Sequence, residues 1–262
     1  QLWGTYYGGT EIGVNESGRS TDTDISGNVY LAGTISANAG IATFGAHQTI
    51  YGGGNRDAFL VKFDANGNRL WGTYYGATGL EIGTDVKTDG LGNVYLLVTT
   101  AGGNPGLSTA GAYQVAPAGG NDAVLVKFDS SGNRLWATYY GGTGGDTPFR
   151  LAIDGFNNVY LVGITNSNNG IAFGGFQNSI GVGPGSQDLF LAKFDPTGAL
   201  LWSTYYGGGD NENGTPDVAV DCDSNVYITG TTRSTSSISS NGFQNFLSGS
   251  VDAFLVKFDV SG

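Results

Sequence analysis

Apolar residues along this chain alternate with polar ones or gather in short runs, and each run is bounded by glycine, asparagine or aspartate. A period of two, short length and this punctuation predict β-strands of roughly five to eight residues and no helix. Four strand types follow one another in fixed order. The first is expected at residues 19–23, 84–87, 150–153 and 217–220. The second opens with Asn-Val-Tyr, just after acidic turns at 24–28, 89–93, 154–158 and 221–225. Asp and Asn suit such turns because their side chains bond nearby amides and tolerate left-handed backbone. A longer connection rich in Gly, Ser and Asn leads to the third strand, at 57–63, 122–128, 188–194 and 252–258. Asp-x-x-Gly at 64–67, 129–132, 195–198 and 259–262 predicts a type I turn that closes on a glycine of positive φ. The fourth strand, Leu-Trp-x-Thr-Tyr-Tyr-Gly, completes each unit.

The tryptophans set the beat, at positions 3, 71, 136 and 202. Leu-Trp-x-Thr-Tyr-Tyr, Asn-Val-Tyr and Lys-Phe-Asp recur four times in the same order, so the chain is expected to hold four copies of one supersecondary unit with no linker. The units run about 10–77, 78–142, 143–208, and 209–262 together with 1–9, within a single domain at 1–262. Four strands joined as an antiparallel meander describe one propeller blade. The expected fold is therefore all-β: a four-bladed β-propeller with four antiparallel strands per blade.

The final unit stops after its third strand and turn, while residues 1–8 read as a fourth strand without its first three. The N-terminal strand is thus expected to complete the last blade and close the ring, with Leu2, Trp3, Thr5, Tyr6 and Tyr7 meeting Phe254, Val256 and Phe258. Closure would remove a sheet edge that otherwise templates aggregation. The same complementarity allows strand donation to a neighbouring copy, and a longer array of blades is a third arrangement.

Asp-Ala-Phe-Leu-Val-Lys-Phe-Asp at 57–64 and 252–259, the following Gly-x-x-Leu-Trp-x-Thr-Tyr-Tyr-Gly, Gly-Asn-Val-Tyr-Leu-x-Gly-Thr at 27–34, and Phe176-Gln177 and Phe243-Gln244 together resemble the bacterial SBBP β-propeller repeat. The resemblance covers nearly all 262 residues. It implies a secreted or surface-attached protein, of a group often large and multidomain and without a common catalytic residue set. Two departures stand out: Leu97-Val98 replaces the x-Gly pair of the other units, and the first strand of the first unit is unusually polar.

Composition agrees with a glycine-cut β-protein. There are 47 Gly but only 6 Pro, with no Gly-X-Y period, which excludes collagen; 14 Tyr, 14 Phe and 4 Trp supply a core and argue against disorder. A net charge of −11 repels phosphate backbones and anionic membrane surfaces, and no run approaches the roughly 18 consecutive apolar residues that span a bilayer, so neither nucleic acid nor membrane insertion is expected. Cys222 is the single cysteine, which leaves no intrachain disulfide. With no Met anywhere, the chain reads as a processed product or a fragment, and a removed signal peptide would fit the extracellular or cell-surface location that the resemblance implies.

Candidate chemistry is sparse. His47 sits in a variable connection without a repeated counterpart, and reads as a solvated loop residue. Cys222 lies between Asp221 and Asp223, where neighbouring carboxylates disfavour a thiolate. Asp221, Asp223 and Asn225 are the best calcium candidates, followed by residues 210–213, but turn formation explains the repeated Asp and Asn more simply. Glu11 and Glu81 are carboxylates that break the fourfold symmetry, as a catalytic pair should. Alternation sends the two tyrosines of each Tyr-Tyr pair to opposite faces, one between blades and the other toward the rim. The reading is a non-enzymatic structural or adhesive propeller that associates with copies of itself or other surface proteins and has no catalytic site and no required cofactor. The alternative is a glycan-binding module for polysaccharide, with calcium as its one candidate cofactor.

Overall fold

A computed structural model describes residues 1–9, 15–36, 38, 40–181 and 186–262. Within them lie strands β1 (Glu16–Thr23), β2 (Val29–Ile35), β3 (Asp57–Phe63), β4 (Arg69–Tyr75), β5 (Leu80–Thr88), β6 (Val94–Ala101), β7 (Asn121–Phe128), β8 (Arg134–Tyr140), β9 (Asp146–Ile153), β10 (Val159–Thr165), β11 (Asp188–Phe194), β12 (Leu200–Tyr206), β13 (Glu212–Val220), β14 (Val226–Thr232) and β15 (Asp252–Phe258). There is no helix among the described residues. Each sheet runs in chain order: β1 to β4, β5 to β8, β9 to β12, and the three-stranded β13 to β15. The expected four sheets and third strands are thus in place, with the first strands starting earlier than the sequence suggested.

The chain forms two compact units, residues 1–117 with 123–139, and residues 118–122 with 140–262. In the first, Tyr30, Leu60, Val86, Leu96, Val126 and Tyr139 share one buried cluster, and Phe59, Phe63 and Tyr74 another. In the second, Tyr160, Leu191, Trp202, Ile228 and Phe254 form the corresponding core. Every residue of β3, β10 and β11 is buried on both faces. These strands therefore read as continuous apolar runs, and each fully buried Phe or Leu removes apolar area worth about 1.5–3 kcal/mol.

The turns behave as their sequences require. Asp64, Asp129 and Asp195 each accept the backbone N–H groups two and four residues onward through Oδ1, and the closing Gly67, Gly132 and Gly198 have φ of 83°, 87° and 90°. Between first and second strands the corresponding left-handed residues are Gly27, Gly92, Asn157 and Ser224.

The chain termini differ from expectation. Residues 1–9 belong to no strand, and β15 is paired with β14 alone. Leu2 and Tyr6 are fully exposed, as is three quarters of Leu255, whereas the equivalent Leu60 and Leu191 are buried. The reason is that an outer strand makes two kinds of contact. Its backbone pairs with its own sheet, and its Trp and second Tyr reach the next one; residues 1–9 make only the second kind. Trp3 Nε1 donates to Ala65 O at 3.0 Å, and Tyr7 donates to Ile41 O at 3.0 Å while packing on Phe59 and Phe63. Phe254 and Phe258 pack instead with Tyr206, and Val256 is half-buried beside them.

Candidate functional site

The chemistry-bearing side chains gather where one strand-four segment meets the following repeat. Trp71 donates to Ser130 O at 3.1 Å and Trp202 to Val260 O at 3.0 Å, each ring lying over the turn glycine, Gly132 or Gly262. Trp3 repeats this on Ala65 and Gly67. The second tyrosine of each pair packs on third-strand phenylalanines: Tyr7 on Phe59 and Phe63, Tyr75 on Phe128, Tyr140 on Phe190 and Phe194, Tyr206 on Phe254 and Phe258. The first tyrosine does not reach the rim where the chain is complete around it. Tyr74, Tyr139 and Tyr205 are all buried, and Tyr139 and Tyr205 donate to Asn104 O and Ser167 O. The aromatic repeats are therefore packing groups, and the expectation that one tyrosine of each pair turns toward the rim fails at these three pairs.

The acidic turns carry a second repeated cluster. In each, the Asp carboxylate takes the Asn side chain four residues on, and a third-strand Lys reaches it: Lys62 to Asp24 at 3.3 Å, Lys127 to Asp89 at 3.5 Å, Lys193 to Asp154 at 3.8 Å and Lys257 to Asp221 at 3.9 Å. The same ammonium groups lie 4.9–5.2 Å from the rings of Tyr30, Tyr95, Tyr160 and Tyr227. The calcium candidates fall in the last of these turns. Asp221 already accepts from Asp223 N, Asn225 N and Nδ2, and Tyr227 OH, and the Asn225 bonds hold its carboxyl below the usual aspartate range. Among the described residues no three His, Cys, Asp or Glu side chains converge as a metal site.

A third cluster, less visible in sequence, is fully buried. Asp57, Asp122 and Asp188 lie at the start of the third strands, the first residue of β3 and β11 and the second of β7, and Glu81, Asp146 and Glu212 lie in the first strand of the next repeat. One oxygen of each opening aspartate is satisfied: Asp57 Oδ2 by Gly52 N and Gln48, Asp122 Oδ2 by Ala118 N, Asp188 Oδ2 by Gly181 N and Gln177. The other, Oδ1, is buried without a hydrogen-bond partner in all three. Desolvation raises Asp57 to about 7 and Asp122 and Asp188 to about 6; the neighbouring N–H donors oppose it and the facing carboxylate adds to it. The glycine after Tyr-Tyr is what lets the carboxylates approach. A Cβ on Gly141 would lie 2.1 Å from Asp122 Oδ1 and 2.9 Å from Asp146 Oδ2, and one on Gly207 would lie 2.4 Å from Asp188 Oδ1 and 2.5 Å from Glu212 Oε2.

Two sequence readings change here. Glu81 is not an asymmetric carboxylate: Asp146 and Glu212 fill its role, each accepting the backbone N–H four residues earlier, from Ala77, Gly142 and Gly208 respectively. The Asp/Glu exchange hid the repetition. Glu11 lies outside the described residues. His47 is exposed on its connection as expected, but it does have counterparts, since it precedes Gln48 as Tyr113, Phe176 and Phe243 precede their glutamines; its ring stacks on Tyr75 at 5.8 Å, and desolvation with Arg134 lowers its pKa to about 4. Cys222 is exposed. An open groove lined by Thr43, Phe44, Leu70, Trp71, Ser130 and Ser131 flanks the first of these aromatic contacts, with Phe44 fully exposed.

Antiparallel meanders in chain order, with Trp, Tyr and acid contacts running between neighbouring repeats within each unit, have the architecture of β-propeller repeats. The family model for the SBBP beta-propeller repeat matches residues 135–171, so that segment belongs to the SBBP repeats; it runs from β8 through β9 and β10 into the connection beyond. The regulatory protein FlaEY of Caulobacter vibrioides is 25% identical over 215 residues, covering 80% of this chain. The chain spans about a fifth of that relative's length, the aligned share being 22%.

Proposed function

We propose that this chain is a non-enzymatic, extracellular structural or adhesive β-propeller that assembles by adding an outer strand to β15. The open side of β15 carries the reading. Leu255 is 75% exposed and the Lys257 side chain 52%, while the side chains of Lys62, Lys127 and Lys193 at the same position are 6–8% exposed. An unprotected edge of this kind is a template for pairing. Residues 2–7 have the sequence of an outer strand and no sheet of their own. Used within the molecule, they close the ring of four blades; used between molecules, they join copies head to tail. Effective concentration favours the first in dilute solution and crowding on a surface favours the second. Asp252 and Glu16, at the positions of Asp188 and Glu212, are the acid pair that such a junction would bring together.

The test uses the register of β11 and β12, where Leu191 faces Thr204. Thr5 and Leu255 hold the equivalent positions. In a Cys222→Ser background, Thr5→Cys with Leu255→Cys should form a disulfide on oxidation, giving a fast-migrating monomer when dilute and a ladder when concentrated. Reduced thiols under both conditions would refute strand addition to β15. Electron microscopy of the concentrated wild-type chain should then show filaments, sheets or tubes.

A glycan-binding reading draws on the groove beside Phe44, where an exposed aromatic ring adjoins Thr43, Ser130 and Ser131. Polysaccharide pull-down with and without calcium tests it. Retention lost in Phe44→Ala would favour this reading over assembly.

A further inference from the structure

We infer that Asp57–Glu81, Asp122–Asp146 and Asp188–Glu212 are proton-binding sites, each holding one proton on the aspartate Oδ1 and thereby sealing the strands it joins against water. The geometry requires something at that oxygen. It is buried and has no donor, although every other polar contact of the pair is made: Thr100 and Asn104 serve Glu81 Oε1, Thr165 and Ser167 serve Asp146, and Thr232 serves Glu212 Oε1. A buried carboxylate oxygen facing a second carboxylate carries the full desolvation cost plus like-charge repulsion. One proton removes both, as in any pair of acids that cannot ionise together. A calcium ion fits the donor set poorly, because it wants six or more oxygens and only two carboxylates meet here, beside a glycine.

Among the described residues no lysine or arginine forms an ion pair with these acids, the four ion pairs lying at the turn aspartates instead. The described hydrogen-bond partners of the paired acids are amides, hydroxyls and backbone N–H groups, and the titratable neighbours are the tyrosines Tyr51, Tyr75, Tyr205 and Tyr206, all held neutral by burial. Burial also raises Asp146, the partner of Asp122, while the acids of the turns that follow move the other way. The turn carboxylates Asp24, Asp129, Asp195 and Asp221 are shifted downward, and His47 titrates near 4. The sign follows from linkage. An aspartate whose folded pKa lies above its unfolded value binds a proton on folding, so its stabilisation is fully present below the unfolded pKa and is lost as pH rises through the folded one.

The wild-type melting temperature should therefore fall as pH is raised from about 5 to about 8. The Asp57→Asn, Asp122→Asn, Asp188→Asn triple variant replaces each proton with a permanent amide donor. It should abolish that fall and, at the alkaline end, melt at or above the wild-type temperature. The infrared carbonyl band of protonated carboxyl groups, followed on the wild-type chain alone, should disappear over the same interval and be absent from the variant. A wild-type melting temperature that is flat or rises across the interval would overturn the inference, as would a missing carbonyl band at its acid end. Stabilisation by added calcium that is lost in the asparagine variant would replace the proton with a cation.

Discussion

Gly163 of β10 lies directly across from Phe190 of β11, and a methyl group on that glycine would sit 2.4 Å from the phenylalanine ring. Gly33 and Gly230 stand in the same relation to Phe59 and Phe254. The second sheet alone has Val98 at this position, and its third strand carries Val124 where the others have phenylalanine. The Leu97-Val98 departure is therefore a volume exchange across neighbouring strands. Gly163→Val should cost about 3 kcal/mol by overpacking. Adding Phe190→Val should recover part of that loss, while the backbone contact with Thr147 O keeps the rescue incomplete. Urea unfolding of the two single variants and the double variant measures the coupling.

Trp202 is buried, bonded to Val260 and set 6.1 Å from the Tyr160 ring, whereas Trp3 keeps the equivalent bond but is 40% exposed. Trp202→Ala should cost about 3–5 kcal/mol. Trp3→Ala should cost only about 1 kcal/mol, close to the value of one net hydrogen bond. Chemical denaturation compares them, and equal losses would mean that residue 3 is buried in solution.

Lys193 and Asp154 are both buried, and desolvation lowers the lysine pKa despite its partner. Asp154→Asn strands that ammonium without its counter-charge and should cost about 3–5 kcal/mol. Asp221→Asn, opposite the exposed Lys257, should cost markedly less. Thermal unfolding at neutral pH reads the difference.

Ser224 holds a left-handed φ of 62° that glycine holds at Gly27 and Gly92, and its hydroxyl is buried without a partner. Ser224→Gly should therefore stabilise the chain by roughly 1 kcal/mol. An unchanged or lowered melting temperature would argue that the hydroxyl has a partner in solution.

The sequence by itself determined the fourfold unit, the strand order and the Asp-x-x-Gly turns. These are local or strictly periodic: alternation, turn chemistry and repetition are written in neighbouring residues, and four copies average out irregularity. Only the tertiary structure decided what crosses from one repeat to the next. The acid pairs could not be read because Asp57 and Glu81 lie in different repeats, and because Asp146 does in one copy what Glu81 and Glu212 do in others. His47 concealed its kinship with Phe176 for the same reason, a position conserved in shape rather than in residue type. Residues 2–7 show the limit most plainly. Their sequence specifies an outer strand, but backbone pairing is settled only when such a strand meets an open edge, and in this structure residues 1–9 keep only the contacts their side chains make.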